Sequence, residues 1–433
     1  MTRIWSLTLW IGLLTFPFLL RQQSCTLGQD LLIRQAAYTQ NRTQKTLIPE
    51  YQLYHFSADS SRLYFRIPYS QLTTRADKKG RTQVSMRVAY MLAENKKTML
   101  DSGGVFLADS SQDLHPTYIE GSFVFRSKNL VGTSLTLTLT DLVSNATAKQ
   151  TIQVDQGQNW NEQYFLWFDD FTEKPIFSSY LPSAICRTLP GLSLKSEASN
   201  IDKLYIKRYK LLKTLPAPPF LTDKNRRLEP VFDTLVILDT KEQHLCSAFD
   251  QPAIYRMSPT PAFVEGPESL SRYGTCLFVF GADFPEMHSP EAMLEPLRFL
   301  MTATEFKNLE SNTEAIEKMT DFWLHMGGNE QRAAELKRRF YERIADSNRF
   351  FSSFVEGWRT DRGMIYLMMG PPDGVEQKEN LEVWTYKTLQ NTYVFRKINT
   401  PFCVADWVLD RSETYREQWY SMVQNWREGR IAN

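Results

Sequence analysis

The patterning of this chain changes character near His288, where helical spacing first appears, and that change constrains its fold more than any other feature. Ahead of His288 the pattern is that of short β-strands, some of them alternating. The clearest stretch is Ser134–Thr140 (SLTLTLT), where Leu135, Leu137 and Leu139 alternate with polar residues. Successive side chains of a strand point to opposite faces, so this stretch is expected to be a strand with one buried face. Beyond His288 the repeat lengthens. In Glu314–Met326 (EAIEKMTDFWLHM), Ile316, Met319, Trp323 and Met326 fall at helical spacing with charged residues opposite. The two periods do not substitute for one another, so a β-rich N-terminal part and a C-terminal part containing helices are expected.

A chain of 433 residues exceeds one ordinary core, which predicts a multidomain protein. Within 51–156, strands are expected at Leu63–Ile67, Gln83–Leu92, Ser122–Arg126 and Ser134–Thr140, with turns at Asp77–Gly80 and Asp101–Gly104. Short strands at this spacing predict an N-terminal β-sandwich-like domain. A break at Gly157-Gln158-Asn159 precedes a second β-rich domain, 157–287. Its expected strands are Tyr164–Phe168, Lys203–Tyr209, Thr234–Leu238 and Cys276–Phe280, with a loop over Thr188–Asn200 and a stiff extended segment at Pro216–Pro219. Residues 288–433 read as a C-terminal α+β domain. Helices are expected over Glu291–Phe299, Thr304–Lys307, Glu314–Met326, Glu330–Phe354 (one long helix or two) and Glu413–Trp426. A small antiparallel sheet would come from Glu382–Tyr386, Thr392–Ile398 and Cys403–Leu409. The helix over Glu330–Phe354 has Leu336, Phe340 and Ile344 on its apolar side, and Arg332, Lys337, Arg338, Arg339 and Arg343 on a side expected to be solvated.

The N-terminus has the layout of a secretory signal. Arg3 precedes an uncharged apolar run, Ile4–Leu20, and the polar stretch Arg21–Cys25 follows. Residues 1–25 are therefore expected to be a signal peptide and 26–50 a linker, with the protein exported to the periplasm or outer membrane. Cys25, just past the apolar run, is a lipidation candidate, with ordinary cleavage nearby as the alternative. Any membrane attachment would run through that N-terminal lipid. In an oxidising compartment Cys246 and Cys276, within one predicted domain, are the expected disulfide. The sequence contains no CxxC, and none of its five histidines has HxH or HExxH spacing, so neither a metal nor another cofactor is predicted. A formal net charge of +1 argues against a nucleic-acid partner.

Residues Glu356–Val375 (EGWRTDRGMIYLMMGPPDGV) concentrate side chains of special geometry. Gly357 and Trp358 open the stretch. Thr360-Asp361-Arg362-Gly363 reads as a turn, Met364–Met369 as a buried strand, and Gly370-Pro371-Pro372-Asp373-Gly374 as a second turn. Asp361 lies between Arg359 and Arg362, an arrangement that keeps a carboxylate ionised and suits an ion-pair clamp or anion binding better than general-acid work. Asp361 capping its own turn, positive φ at Gly363 and Gly374, and Trp358 packed under the helices would explain the rest structurally. The candidate binding residues are Gly357, Trp358, Arg359, Thr360, Asp361, Arg362, Gly363, Gly370, Pro371 and Asp373. No GxSxG, P-loop or GxGxxG is present, and Pro371 and Pro372 offer no N–H groups to a phosphate. No catalytic residue is predicted.

The run Gly357-Trp358-Arg359-Thr360-Asp361 continues through Arg362-Gly363, Ile365-Tyr366, Gly370-Pro371-Pro372-Asp373 and Glu382-Val383-Trp384 with Tyr386. Together these residues resemble the GWxTD-domain proteins, exported proteins of Bacteroidota and related bacteria. The resemblance spans Phe299 to Trp426. It implies an envelope location and a domain type, and it implies no reaction. The function expected on this basis is non-enzymatic binding or scaffolding, with the C-terminal domain engaging an envelope protein or glycan. The alternative is an envelope hydrolase acting on glycan or peptide, with Asp361 in its site.

Overall fold

The computed structural model describes residues 47, 49–76, 82–95, 98–109, 118–128, 130, 132–156, 161–169, 172–178, 180–183, 192–196, 203–222, 230–239, 249, 251–261, 274–310, 314–378, 380–400, 402 and 405–431. The signal layout with Cys25, the Asp77–Gly80 turn, the Gly157-Gln158-Asn159 break, Cys246 and Cys403 lie outside these residues. The chain is β-rich, with several sheets and a C-terminal helical region. Among the described residues no helix is long and apolar enough to cross a membrane.

In the N-terminal part, β1 (Glu50–Ser57), β2 (Ser60–Pro68) and β6 (Tyr118–Arg126) form an antiparallel sheet in the order β1-β2-β6. A second sheet runs β3 (Arg75–Ala76), β4 (Thr82–Asn95), β7 (Thr133–Asp141), β8 (Thr147–Val154), and β5 (Thr98–Asp109) also pairs with β4. The alternation in β7 buries Leu135, Leu137 and Leu139 completely, and they join Leu63 and Phe65 of the first sheet in one apolar cluster. The turn expected at Asp101–Gly104 is instead the middle of β5. Gly103 serves a ring rather than a bend. A Cβ there would stand 2.8 Å from Tyr90 Cε1, and the Tyr90 ring stacks on Phe123 at 4.3 Å.

Further along, β9 (Phe165–Asp169) pairs with β10 (Lys174–Pro175) and with β12 (Leu192–Ser196), which occupies part of the expected Thr188–Asn200 loop. A five-stranded sheet follows in the order β11 (Tyr180–Pro182), β16 (Thr275–Phe280), β15 (Ala253–Ser258), β13 (Lys203–Tyr209), β14 (Phe232–Asp239). Every residue of β15 and β16 is buried. One face of this sheet packs with Trp167 and Phe249, the other with Phe284 and Phe402 of the C-terminal part. β15 is covered on both faces and so does not alternate, and unlike β16 its apolar run is interrupted, by Arg256, which is why it escaped the sequence reading. The paired strands β13 and β14, with Tyr209 opposite Phe232, are joined by a long connection whose residues 210–222 leave the sheet as an extended arm.

The helical region contains α1 (Pro290–Leu294), continued by a 3₁₀ turn at Glu295–Phe299, then α2 (Ala303–Glu310), α3 (Ala315–Gly327) and α4 (Glu330–Phe351). α3 stops at Gly328 with φ 70°, and Asn329 caps α4 by accepting the Arg332 N–H at 2.9 Å. A 3₁₀ turn at Gly357–Arg359 leads into α5 (Asp361–Met369). An antiparallel sheet follows in the order β17 (Gly374–Lys378), β18 (Leu381–Tyr386), β19 (Asn391–Asn399), β20 (Ala405–Leu409), and α6 (Arg416–Arg427) closes the region. The buried strand expected at Met364–Met369 is thus a helix, and the turn expected at Thr360–Gly363 is its first turn. All residues of α5 are buried. A helix enclosed on every side has no polar face and so no 3.6-residue signal, and its apolar run imitates a buried strand.

The basic side of α4 also differs from expectation. Arg332 donates to the Gly429 carbonyl at 2.6 Å and Arg339 to the Ile431 carbonyl at 3.0 Å. Arg343 donates to the carbonyls of Leu367 and Met368 at 3.1 and 3.2 Å, at the C-terminus of α5. These arginines tie α4 to the C-terminus of α5 and to the segment that follows α6.

Candidate functional site

The motif residues sit where α4, the Gly357–Arg359 turn and α5 meet. Their backbones approach so closely that only glycine is tolerated at two positions. A Cβ on Gly357 would lie 1.8 Å from the Ser347 carbonyl oxygen of α4, and one on Gly363 would lie 1.8 Å from the Gly357 carbonyl oxygen. Close approach, not positive φ, explains Gly363, correcting the expectation. Gly374 is likewise absent from the positive-φ glycines, whereas Gly370 takes φ 85° at the end of α5.

Thr360, not Asp361, caps the helix. Its Oγ1 accepts the Gly363 N–H at 3.0 Å and donates to the Gly357 carbonyl at 2.7 Å. Asp361 serves a longer-range task. Its fully buried carboxylate accepts the Leu409 N–H at 2.7 Å and a two-pronged contact from Arg411, Nη1 at 3.0 Å and Nη2 at 2.7 Å. The carboxylate also sits at a helix N-terminus, where negative charge is favoured. Asp361 was expected to lie between Arg359 and Arg362; its partner is Arg411, which follows β20.

Each flanking arginine pairs elsewhere. Arg359 donates through Nε to Glu356 at 2.7 Å and through Nη1 to Glu295 at 2.8 Å, with its guanidinium 4.1 Å from the Trp358 ring centroid. Burial opposes its charge, but the bonds to Glu295 and Glu356 outweigh burial and raise its pKa. Arg362 reaches Glu382 at 3.4 Å between the rings of Phe351 and Trp407, and Glu382, fully buried, also accepts the Trp384 indole N–H at 2.6 Å. Trp358 is buried in the main core of the region.

Gly370-Pro371-Pro372-Asp373 connects α5 to β17. Tyr386 donates its hydroxyl to the Gly370 carbonyl at 2.8 Å, and Asp373 accepts the Lys387 N–H at 2.6 Å. Pro371 and Asp373 are exposed, unlike Asp361, so the structure does not bring the two aspartates into one open cleft. Cys276 lies buried in β16, and Cys246, its expected disulfide partner, is outside the described residues. Among the described residues no group of three or more His, Cys, Asp or Glu side chains is placed to hold a metal ion.

The arm after β13 lies over these charged residues. Arg359 Nη1 donates to the Lys213 carbonyl at 3.0 Å and Arg411 Nη2 to the Ala217 carbonyl at 3.1 Å. The Ser412 N–H donates to the Pro219 carbonyl at 3.2 Å, and the Phe220 ring lies 4.3 Å from the Arg416 guanidinium. Sequence reasoning missed Arg411, Glu295 and the arm contacts. A single arginine after a strand carries no local signal, and the other partners are far away along the chain.

A family model described as GWxTD domain matches residues 263–428. The match begins upstream of the expected Phe299 and takes in β16, a strand of the five-stranded sheet. No curated protein and no solved structure matches the chain. With the motif at Gly357–Asp361 inside the matched segment, residues 263–428 of the chain form a GWxTD domain.

Proposed function

We propose that this is a non-enzymatic binding or scaffolding protein of the cell envelope, whose GWxTD domain engages a protein or glycan partner. The observation that carries this reading is the fate of the motif's charges. Arg359, Asp361 and Arg362 are all buried and each is committed to a partner within the chain. A hydrolytic acid or base must meet its substrate. The Asp361 carboxylate is fully enclosed and already accepts three hydrogen bonds, so the hydrolase alternative has little support at this residue.

The envelope location rests on the Arg3, Ile4–Leu20 and Cys25 layout. The proposed organisation is a β-sandwich-like domain (51–156), a second β-rich domain (157–287) and an α+β domain (288–433). The shared apolar cluster of the first two sheets supports the first of these, while the family match, which spans the 287/288 boundary, argues for moving that boundary upstream. Crosslinking of the full chain in an envelope fraction is expected to capture a reproducible protein or glycan partner. Release of soluble sugar or peptide from the same material should stay at background. Turnover that disappears in a folded Asp361→Asn variant would overturn this proposal. Incorporation of labelled fatty acid that is lost in Cys25→Ser is the expected sign of the lipid anchor.

A further inference from the structure

We propose that the GWxTD domain carries a recognition face for an extended, proline-containing peptide, and that residues 213–220 of this chain fill it in cis. The inference does not depend on the envelope partner proposed above. It rests on a match between donors and acceptors. Pro216, Pro218 and Pro219 have no backbone N–H, so the segment Leu215-Pro216-Ala217-Pro218-Pro219 offers mainly carbonyl acceptors. The face opposite it offers donors: Arg359 to Lys213, Arg411 to Ala217, and the Ser412 N–H to Pro219. An arginine has no acceptor to mismatch, and its planar fork is fixed here by a carboxylate. Asp361 holds Arg411, and Glu295 with Glu356 holds Arg359. The motif acids are thus positioning residues that aim guanidinium N–H groups at a peptide backbone.

Side chains supply the rest of the contact. Pro216, Pro219 and Phe220 are buried, and Phe220 belongs to the main core of the helical region while resting against Arg416 and Tyr420. Proline-rich segments lose little conformational entropy on docking because they are already extended, which favours this mode of recognition. The arm is a loop between paired neighbouring strands, so docking it fastens the five-stranded sheet to the helical region.

The test uses the full chain with Lys213–Phe220 replaced by a Gly-Ser segment of equal length, and a fluorescent peptide of residues 211–221 as the probe. Saturable binding to the replaced chain and none to the wild type are expected, since the wild-type face is occupied. A peptide with Pro216, Pro218 and Pro219 changed to alanine should bind about tenfold more weakly, as should one with an ester in place of the Lys213–Thr214 amide, whose carbonyl is a poorer acceptor. A replaced chain that keeps its near-ultraviolet circular dichroism but ignores the peptide overturns the proposal, as does equal binding of a scrambled peptide. If the replacement abolishes folding, hydrogen exchange in full-length Phe220→Ala decides. The Ser412 amide should then exchange faster while the Leu409 amide, held by Asp361, stays protected. Equal acceleration of both amides would mean the arm is inseparable core, and the recognition face would be abandoned.

Discussion

Helices α4 and α5 pack side by side and manage their charges in opposite ways. α4 keeps a polar flank, and Arg338 pairs with Glu342 in the open one helical turn away. α5 has no exposed residue, and both charged residues of its first turn are inside the protein. A buried charge without a partner is expensive, so each must be met from elsewhere in the chain. Arg411 after β20 meets Asp361, and Glu382 on β18 meets Arg362. The difference teaches that the GWxTD motif is a junction. Its short run of residues gathers the 3₁₀ turn after α1, the sheet and the arm around one enclosed helix.

The comparison breaks most visibly where the backbones touch. Gly357→Ala or Gly363→Ala forces a Cβ to 1.8 Å from a carbonyl oxygen. Either variant is expected to lose the cooperative urea unfolding transition followed by tryptophan fluorescence, because overpacking here displaces main chain rather than a flexible tip. Asp361→Ala leaves Arg411 facing an empty partner position and should cost about 3–5 kcal/mol in the same measurement. Changing both residues together to apolar ones of similar volume should recover much of that loss.

A neutral buried group in the N-terminal part shows whether the rule extends beyond charges. His55 is fully buried. Its Nε2 donates to the Asp155 carbonyl at 3.2 Å and to Gln163 Oε1 at 3.0 Å, and its Nδ1 accepts from Ser61 at 2.6 Å. Burial lowers its pKa from 6.5 to about 4, against those two acceptors. The unfolded chain therefore takes up the proton first. Stability is complete above pH 6.5 and should fall on the order of 3 kcal/mol as the pH drops toward 4. A folded His55→Gln variant should lack that slope. Smaller still, Thr360→Ala should cost about 1 kcal/mol through the lost cap. Arg338→Ala on the open flank of α4 should stay within about 0.5 kcal/mol. A large effect there would erase the contrast between the two helices.

How much could be read from the sequence follows the same division. α3 and α4 were legible within a few residues because each has a wet side that imposes a 3.6-residue period. β7 was legible because its threonines alternate with its leucines. α5 was not, because full enclosure removes the contrast that periodicity measures, and β15 was not, because it is enclosed and Arg256 interrupts its apolar run. At the site, the sequence singled out Arg359, Asp361 and Arg362 as the residues to examine, but attached the wrong partners. Local reasoning pairs neighbours, whereas Arg411 meets Asp361 from 50 residues away. Gly103 and Gly104 misled for a similar reason: the Tyr90 ring at Gly103 and the Val88 carbonyl oxygen at Gly104, both from another strand and not a turn, set the need for a small residue.

The arm also fixes an order of events. Lys213 and Ala217 leave the ribosome well before their partners Arg359 and Arg411, which lie 146 and 194 residues later. Loops of that length close slowly, because chain entropy is lost before the contact forms. The β-rich part can complete its own sheets before the helical region closes on it. The last step is then the closing of a late domain around an early strand connection. A chain stalled or cut before Arg411 would present a finished sheet with its proline-rich arm undocked, and unfolding from the C-terminus would free the arm before it disturbed the sheet.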